Sequence, residues 1–272
     1  MELKEIQNFK LDMLLKVVNI CDEQEIPYYL YGGTLLGAVR HNGFIPWDDD
    51  IDICLLWNDY KKLLSILPDK IGNEYYVQNL WTEGRFPCLW TQLRANGTTS
   101  LPVASKKLKI HWGMCIDIFP LISIFDDEKK AKKQFRAFSI AQSFIAKDLM
   151  KAKGEKAYGA QKVINIIPNK VRRFIASRII KNYAFVDSEN QYLGGLDSAE
   201  LKKKYLYVDF SKRTKLLFEG HKLYCPVNYE SVLVCNYGED YMTPPPPENR
   251  GGHDIELGNI INDIRVDYTE YL

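Results

Sequence analysis

Apolar residues near the start of the chain, Ile6, Phe9, Met13, Leu14, Val17 and Val18, recur at helical spacing and predict an amphipathic helix over residues 6–21. A short aromatic strand follows at residues 28–31. Gly32 and Gly33 then make a turn, and residues 34–40 suit a helix. Beyond Pro46 an acidic cluster runs into a second strand, where Asp50 and Asp52 alternate with Ile51 and Ile53. Period two places both carboxylates on one strand face. Asn58 reads as the cap of a helix that turns Tyr60, Leu63, Leu64 and Leu67 inward and stops at Pro68.

Further strands are expected at residues 75–79, 89–94 and 109–119. In the last of these, His111 and Asp117 fall on one face. Asp126 or Asp127 caps a helix running through Phe135, Phe138 and Phe144, and more helix is expected over residues 163–183, broken at Pro168. A strand or hairpin arm at 218–224, a helix at 228–237 closed by Gly238 and an extended run of prolines from Pro244 complete the readable pattern. Helix, strand, turn-helix, strand, helix describes an α/β or α+β core.

Two adjacent carboxylates repel unless a cation lies between them, and oxygen ligands suit Mg2+ or Mn2+. Paired glycines bring backbone amides, and the start of a helix, close to a phosphate. Together these features point to metal-assisted transfer of a phosphate-containing group. Asp48, Asp50 and Asp52 also imitate the opening of a calcium loop, but the sixth position is Ile53 rather than Gly and the twelfth is Asp59 rather than Glu. The four histidines match no zinc spacing, and the chain has neither a G-x-S-x-G elbow nor a Walker loop.

Three blocks, GGTLLGAVRHNGFIPWDDDIDI at 32–53, GMCIDIFPL at 113–121 and YGEDYMTPPPPENRGGH at 237–253, resemble the LicD family. Its members include bacterial phosphocholine transferases and, more distantly, fukutin-type ribitol-phosphate transferases. The resemblance implies a nucleotidyltransferase-like mixed sheet core in which Asp117 joins Asp50 and Asp52 as the third carboxylate of a catalytic metal site. It also implies a CDP-linked donor, most often CDP-choline, and a sugar hydroxyl acceptor on a lipid-linked glycan precursor such as a teichoic acid repeat. Other phospho-alcohol donors, nucleotidyl transfer from a triphosphate and a non-catalytic glycan- or membrane-binding protein are the competing readings.

Candidate substrate-binding residues follow. Gly32, Gly33 and Thr34 form the turn and helix start. Arg40 either pairs with a donor phosphate or complements the helix dipole. Trp47 either stacks on the base or choline ammonium of the donor or anchors its loop. Asp48 holds a metal-bound water or the donor, or simply forms the turn before the strand. Arg94 is a further phosphate candidate, and His111 competes with Asp117 as general base. Arg250 and His253, in the third block, would close over the substrate.

Charge adds one feature. The net charge of +1 argues against a dedicated nucleic-acid binder, yet between Lys129 and Lys181 there are fifteen Lys or Arg against two acids, so this segment is about +13 and the remainder about −12. It is either a solvated cationic face or a surface drawn to an anionic membrane or a polyanionic acceptor. The expected organisation is therefore a core at 1–125, a basic helical insertion at 126–215 and a C-terminal segment at 216–272 that completes the core. The six cysteines form no C-x-x-C pair and read as reduced thiols. With no signal-peptide pattern and no membrane-spanning run, the expected location is the cytoplasm, at the inner face of the membrane.

Overall fold

A computed structural model describes residues 1–153, 164, 166–197, 199–247, 250 and 259–272. Helix α1 (Leu3–Glu23) buries Ile6, Met13, Leu14 and Val17, as its spacing predicts, but the same buried face carries Gln7 and Lys10. Strand β1 (Tyr29–Leu30) leads into α2 (Gly32–His41), so both glycines lie within the first turn of the helix rather than before it. Strand β2 (Asp52–Leu56) begins two residues later than expected and leaves Asp50 in the preceding loop. Helix α3 (Trp57–Lys70) is capped at Leu56 rather than Asn58 and runs through Pro68, which it tolerates close to its end.

Strands β3 (Tyr75–Gln78), β4 (Thr91–Ala95), β5 (Thr99–Pro102) and β6 (Cys115–Ile124) follow. His111 lies outside β6, so the expected strand at 109–119 is shortened at its start. The basic part of the chain forms helices α4 (Glu128–Ala152) and α5 (Asn169–Tyr183), packed on each other through the buried ion pair of Arg172 with Asp148. The span 126–215 also supplies β7 (Tyr192–Gly195), the short α6 (Glu200–Lys203) and β8 (Tyr205–Leu206). The arm expected at 218–224 is β10 (His221–Pro226), which pairs across a turn at Gly220 with β9 (Arg213–Phe218), a strand the sequence pattern did not predict; α7 (Tyr229–Tyr237) follows, its end set by Gly238 at φ +88°. Strand β11 (Ile260–Asp263) pairs with β5.

The main sheet is mixed, in the order β1-β2-β6-β4-β3, with β7 also on β6 and β8 on β7. Strands β2 and β6 run parallel, and the other pairs in the sheet are antiparallel. Ile53, Leu55, Ile116 and Ile118 are fully buried with Leu63 and Leu67 of α3, each contributing about 1.5–3 kcal/mol of hydrophobic stabilisation. This core fixes β2 and β6 side by side. On β6 the alternate positions, Cys115, Asp117 and Phe119, face the opposite, half-open side. The cysteines are unpaired thiols, and only Cys235 is exposed.

Candidate active site

The parallel register places Asp52 directly against Asp117. Neighbouring strands lie about 4.8 Å apart, so two carboxylates share one patch of the sheet face. The row continues across two further strands, because Asp117 opposes Gln92 and Gln92 opposes Gln78. Trp90 Nε1 donates to Asp117 Oδ1 at 3.1 Å, and Gln92 hydrogen-bonds the same carboxylate. Arg94, which is buried, donates to Gln78, Gln92 and the Gly113 carbonyl. Its donors therefore hold the protein rather than a ligand, and Arg94 acts as the strut behind Gln92.

Helix α2 meets this patch with its N-terminus. At Gly32, where φ is +51°, an added Cβ would lie 2.8 Å from Asp52 Oδ2, and at Gly33 one would lie 2.8 Å from Asp48 Oδ2. Glycine is thus favoured at Gly32 by its backbone conformation and by the approach of Asp52, while at Gly33 a side chain would press on the Asp48 carboxylate. Buried Thr34 does not face a ligand: its Oγ1 accepts from the Asp52 amide at 2.8 Å and ties the helix to the strand. Asp48 Oδ1 accepts from the Asp50 amide at 3.1 Å, folding the loop back on itself.

Lys10 was not expected at the site. Its ammonium reaches from α1 to Asp49 Oδ2 at 2.9 Å and Asp50 Oδ1 at 3.2 Å. Burial disfavours its charge, but Asp50 and Asp49 outweigh that cost and hold its pKa above the usual lysine range. Gln7 Nε2 adds a bond to the Asp48 carbonyl, so α1 clamps the acidic loop at two points.

The remaining carboxylates are under strain of charge. Burial, then Asp117, Asp50 and Asp48, push the pKa of Asp52 well above the carboxylate range, opposed by Lys10. Burial and Asp50 likewise raise Asp117, against the hydrogen bonds from Gln92 and Trp90. Among the described residues no three His, Cys, Asp or Glu side chains form a ready-made metal cage. The donor set still fits Mg2+ or Mn2+ in kind: it is all oxygen, its charges repel one another, and Mg2+ is commonly held by one or two carboxylates plus substrate phosphates. Asp52 and Asp117, with Asp50 beside them, would hold such an ion.

A cavity of about 570 Å³ opens beside this patch, between α2 and the segment after α7. Gly33, Arg40, Trp47 and Asp48 line one wall, and Tyr237, Asp240, Tyr241 and the prolines from Pro244 line the other. Arg40 Nη1 donates to the Tyr241 carbonyl at 3.0 Å, while its buried Nε has no protein partner. Arg250 stacks on Trp47, its Cζ 4.2 Å from the ring centroid, so the third sequence block meets the first. His253 lies outside the described residues.

His111 is elsewhere. Its ring stacks on Tyr76 at 5.4 Å, meets Tyr268 at 4.8 Å and hydrogen-bonds Asn96, in a separate cavity of about 630 Å³. Burial and Arg94 lower its pKa to about 4. The expectation that His111 stands beside Asp117 fails because the loop before β6 turns away before strand alternation begins.

Lys10, Gln7, Trp90, Gln92, Tyr237 and Asp240 were absent from the sequence-derived site. Lys10 and Gln7 did leave a signal, as polar breaks in the apolar stripe of α1.

Residues 25–153 match the LicD/FKTN/FKRP nucleotidyltransferase domain. The chain is similar to the lipopolysaccharide cholinephosphotransferase LicD of Haemophilus influenzae, with 28% identity over 277 residues, covering 95% of this chain and 98% of that protein. It is also similar to the human ribitol 5-phosphate transferase FKRP, with 44% identity over 43 residues, 16% of this chain and 9% of the relative. The chain is thus similar to the LicD family along nearly its whole length, and the match to that family's nucleotidyltransferase domain spans residues 25–153.

Proposed function

We propose that the protein transfers phosphocholine from CDP-choline to a sugar hydroxyl of a lipid-linked cell-surface glycan precursor of the teichoic acid kind, releasing CMP. The observation that carries this reading is the placement of Asp52 against Asp117 at the glycine-rich start of α2. A divalent cation bound there supplies neutralisation of charge on the donor phosphates. Arg40 offers a guanidinium to the donor phosphate, and Lys10 holds Asp50 in place. Asp117 accepts the proton of the attacking hydroxyl, since a protonated sugar hydroxyl is a poor nucleophile. His111, in another cavity, has no such access.

A second reading, transfer of a different phospho-alcohol, is favoured by the likeness to FKRP over 43 residues. The test is transfer of label from CDP-choline, CDP-glycerol and CDP-ribitol to extracted lipid-linked glycans with Mg2+. Labelled glycan from CDP-choline alone supports the primary reading; label from another donor alone transfers the assignment to that alcohol.

The lipid-linked acceptor also requires a membrane surface. Among the described residues no helix is long and apolar enough to cross a membrane. Around α5, however, Ile166, Val171 and Phe174 are exposed at 81%, 45% and 67% beside Lys170, Arg178 and Lys181. Exposed apolar side chains among lysines and arginines are what binding to an anionic leaflet requires. Arg172 is not part of this surface, because it is buried against Asp148.

A further inference from the structure

We infer that the cavity between α2 and the segment after α7 is the subsite for the donor's zwitterionic head group, with Arg40 facing its phosphate and Tyr237, Tyr241 and Asp240 facing its quaternary ammonium. This rests on the donor reading above and adds the residues that select the alcohol.

The argument starts from charge. The lining includes Arg40, whose buried Nε lacks a protein partner, and, from the end of α7 and the segment after it, Asp240 with Tyr237 and Tyr241. A nucleobase would call for stacking and amide-type donors and acceptors. A neutral polyol would call for a dense set of hydrogen-bonding groups. A cavity lined by a guanidinium and also by tyrosines and a carboxylate matches an anion joined to a bulky cation, because quaternary ammonium groups bind aromatic faces and carboxylates without needing hydrogen bonds.

Position supports the same reading. Gly33 and Asp48 belong both to the cavity wall and to the patch of carboxylates, so a head group seated here leaves its phosphorus next to Asp52. Tyr237 lies within electrostatic reach of Asp52, Asp48 and Arg40, which places it at the junction of the two. Trp47 is not the free aromatic face, since Arg250 already covers it. The guanidinium on Trp47 occupies the position a ligand cation would take there, which leaves the tyrosines on the opposite wall for the ammonium.

Isothermal titration with phosphocholine, CMP, CDP-choline and CDP-glycerol, in Mg2+ buffer, tests the assignment on the full chain. Asp240 and Tyr237 are exposed, so Asp240→Asn and Tyr237→Leu leave the core untouched. Each should weaken phosphocholine and CDP-choline by about fivefold or more, the size of one cation–π or ion contact, and leave CMP and CDP-glycerol within about twofold. Parallel loss of CMP would make the cavity a nucleotide site and overturn the inference. Unchanged affinities in both variants, or no preference of the wild type for CDP-choline over CDP-glycerol, would overturn it as well. If the wild type transfers a phospho-alcohol without that preference, the head-group assignment falls and phospho-alcohol transfer stands. If phosphocholine binding is lost in the variants while no CDP-alcohol is turned over, the assignment stands and the transfer reading falls.

Discussion

Lys10 Nζ lies 2.9 Å from Asp49 Oδ2, and both side chains are buried, at 2% and 5% exposure. Removing one member of such a pair leaves the other charge uncompensated, at a cost of about 3–5 kcal/mol. Lys10→Met should therefore destabilise the protein by roughly that amount in urea titration, and Lys10→Met with Asp49→Asn should recover part of the loss. Additive losses in the double variant would show that the two residues do not act as a pair.

The carboxylate patch and the His111 cavity should respond to pH with opposite sign. Asp52 and Asp117 have folded pKa values raised above the ordinary carboxylate value, so the metal-free fold binds more protons than the unfolded chain; their contribution is favourable in acid and is lost as pH rises from about 4 through the raised values. His111 is lowered to about 4, so the unfolded chain binds the extra proton, and its contribution is present above about 6.5 and lost as pH falls. Thermal melts in chelator should show Asp117→Asn stabilising the protein at pH 7 more than at pH 4.5, and His111→Gln flattening the acid limb. Variant and wild-type curves that stay parallel would contradict both assignments.

Asp117 and His111 are also separated by kinetics. In single turnovers with donor and Mg2+ bound beforehand, Asp117→Asn should slow the chemical step by about 100-fold or more, within the range for losing a general base. His111→Gln should leave that step intact. Loss of the step and its pH dependence in His111→Gln alone would return the role to histidine.

Vesicle sedimentation checks the surface around α5. Binding to anionic vesicles should weaken as salt shortens the Debye length to roughly 8 Å at physiological strength, and Phe174→Ser with Lys170→Glu should abolish it. No binding at low salt would leave α5 a solvated face.

The fold was legible where one periodicity and one stop signal agreed. α1 and α7 up to Gly238 fall where spacing and glycine predict them, while the arm expected at 218–224 proved to span the turn between β9 and β10. β5 and β11 were missed because a strand whose partner is more than 150 residues away shows no local pattern distinguishing it from a loop. The site was half legible. Asp52 and the two glycines stand out by type and spacing and Asp117 through the family resemblance, but Lys10 reads as a flaw in an apolar stripe until α1 is laid against the acidic loop. His111 and Arg94 misled for the same reason: residue type suggested chemistry, whereas the rings around one and the acceptors around the other hold them in structural roles.

The most direct test of a donor held through a metal at Asp52 and Asp117 is thermal stabilisation by CDP-choline. A ligand at about 100 times its Kd adds about 2.7 kcal/mol to the folded state, enough to raise Tm by several degrees. The wild type should show that rise with CDP-choline and Mg2+ together, only a small rise with either alone, and a much smaller rise in Asp52→Asn or Asp117→Asn at the same ligand concentrations. An equal rise in the presence of chelator, or in both variants, would contradict it.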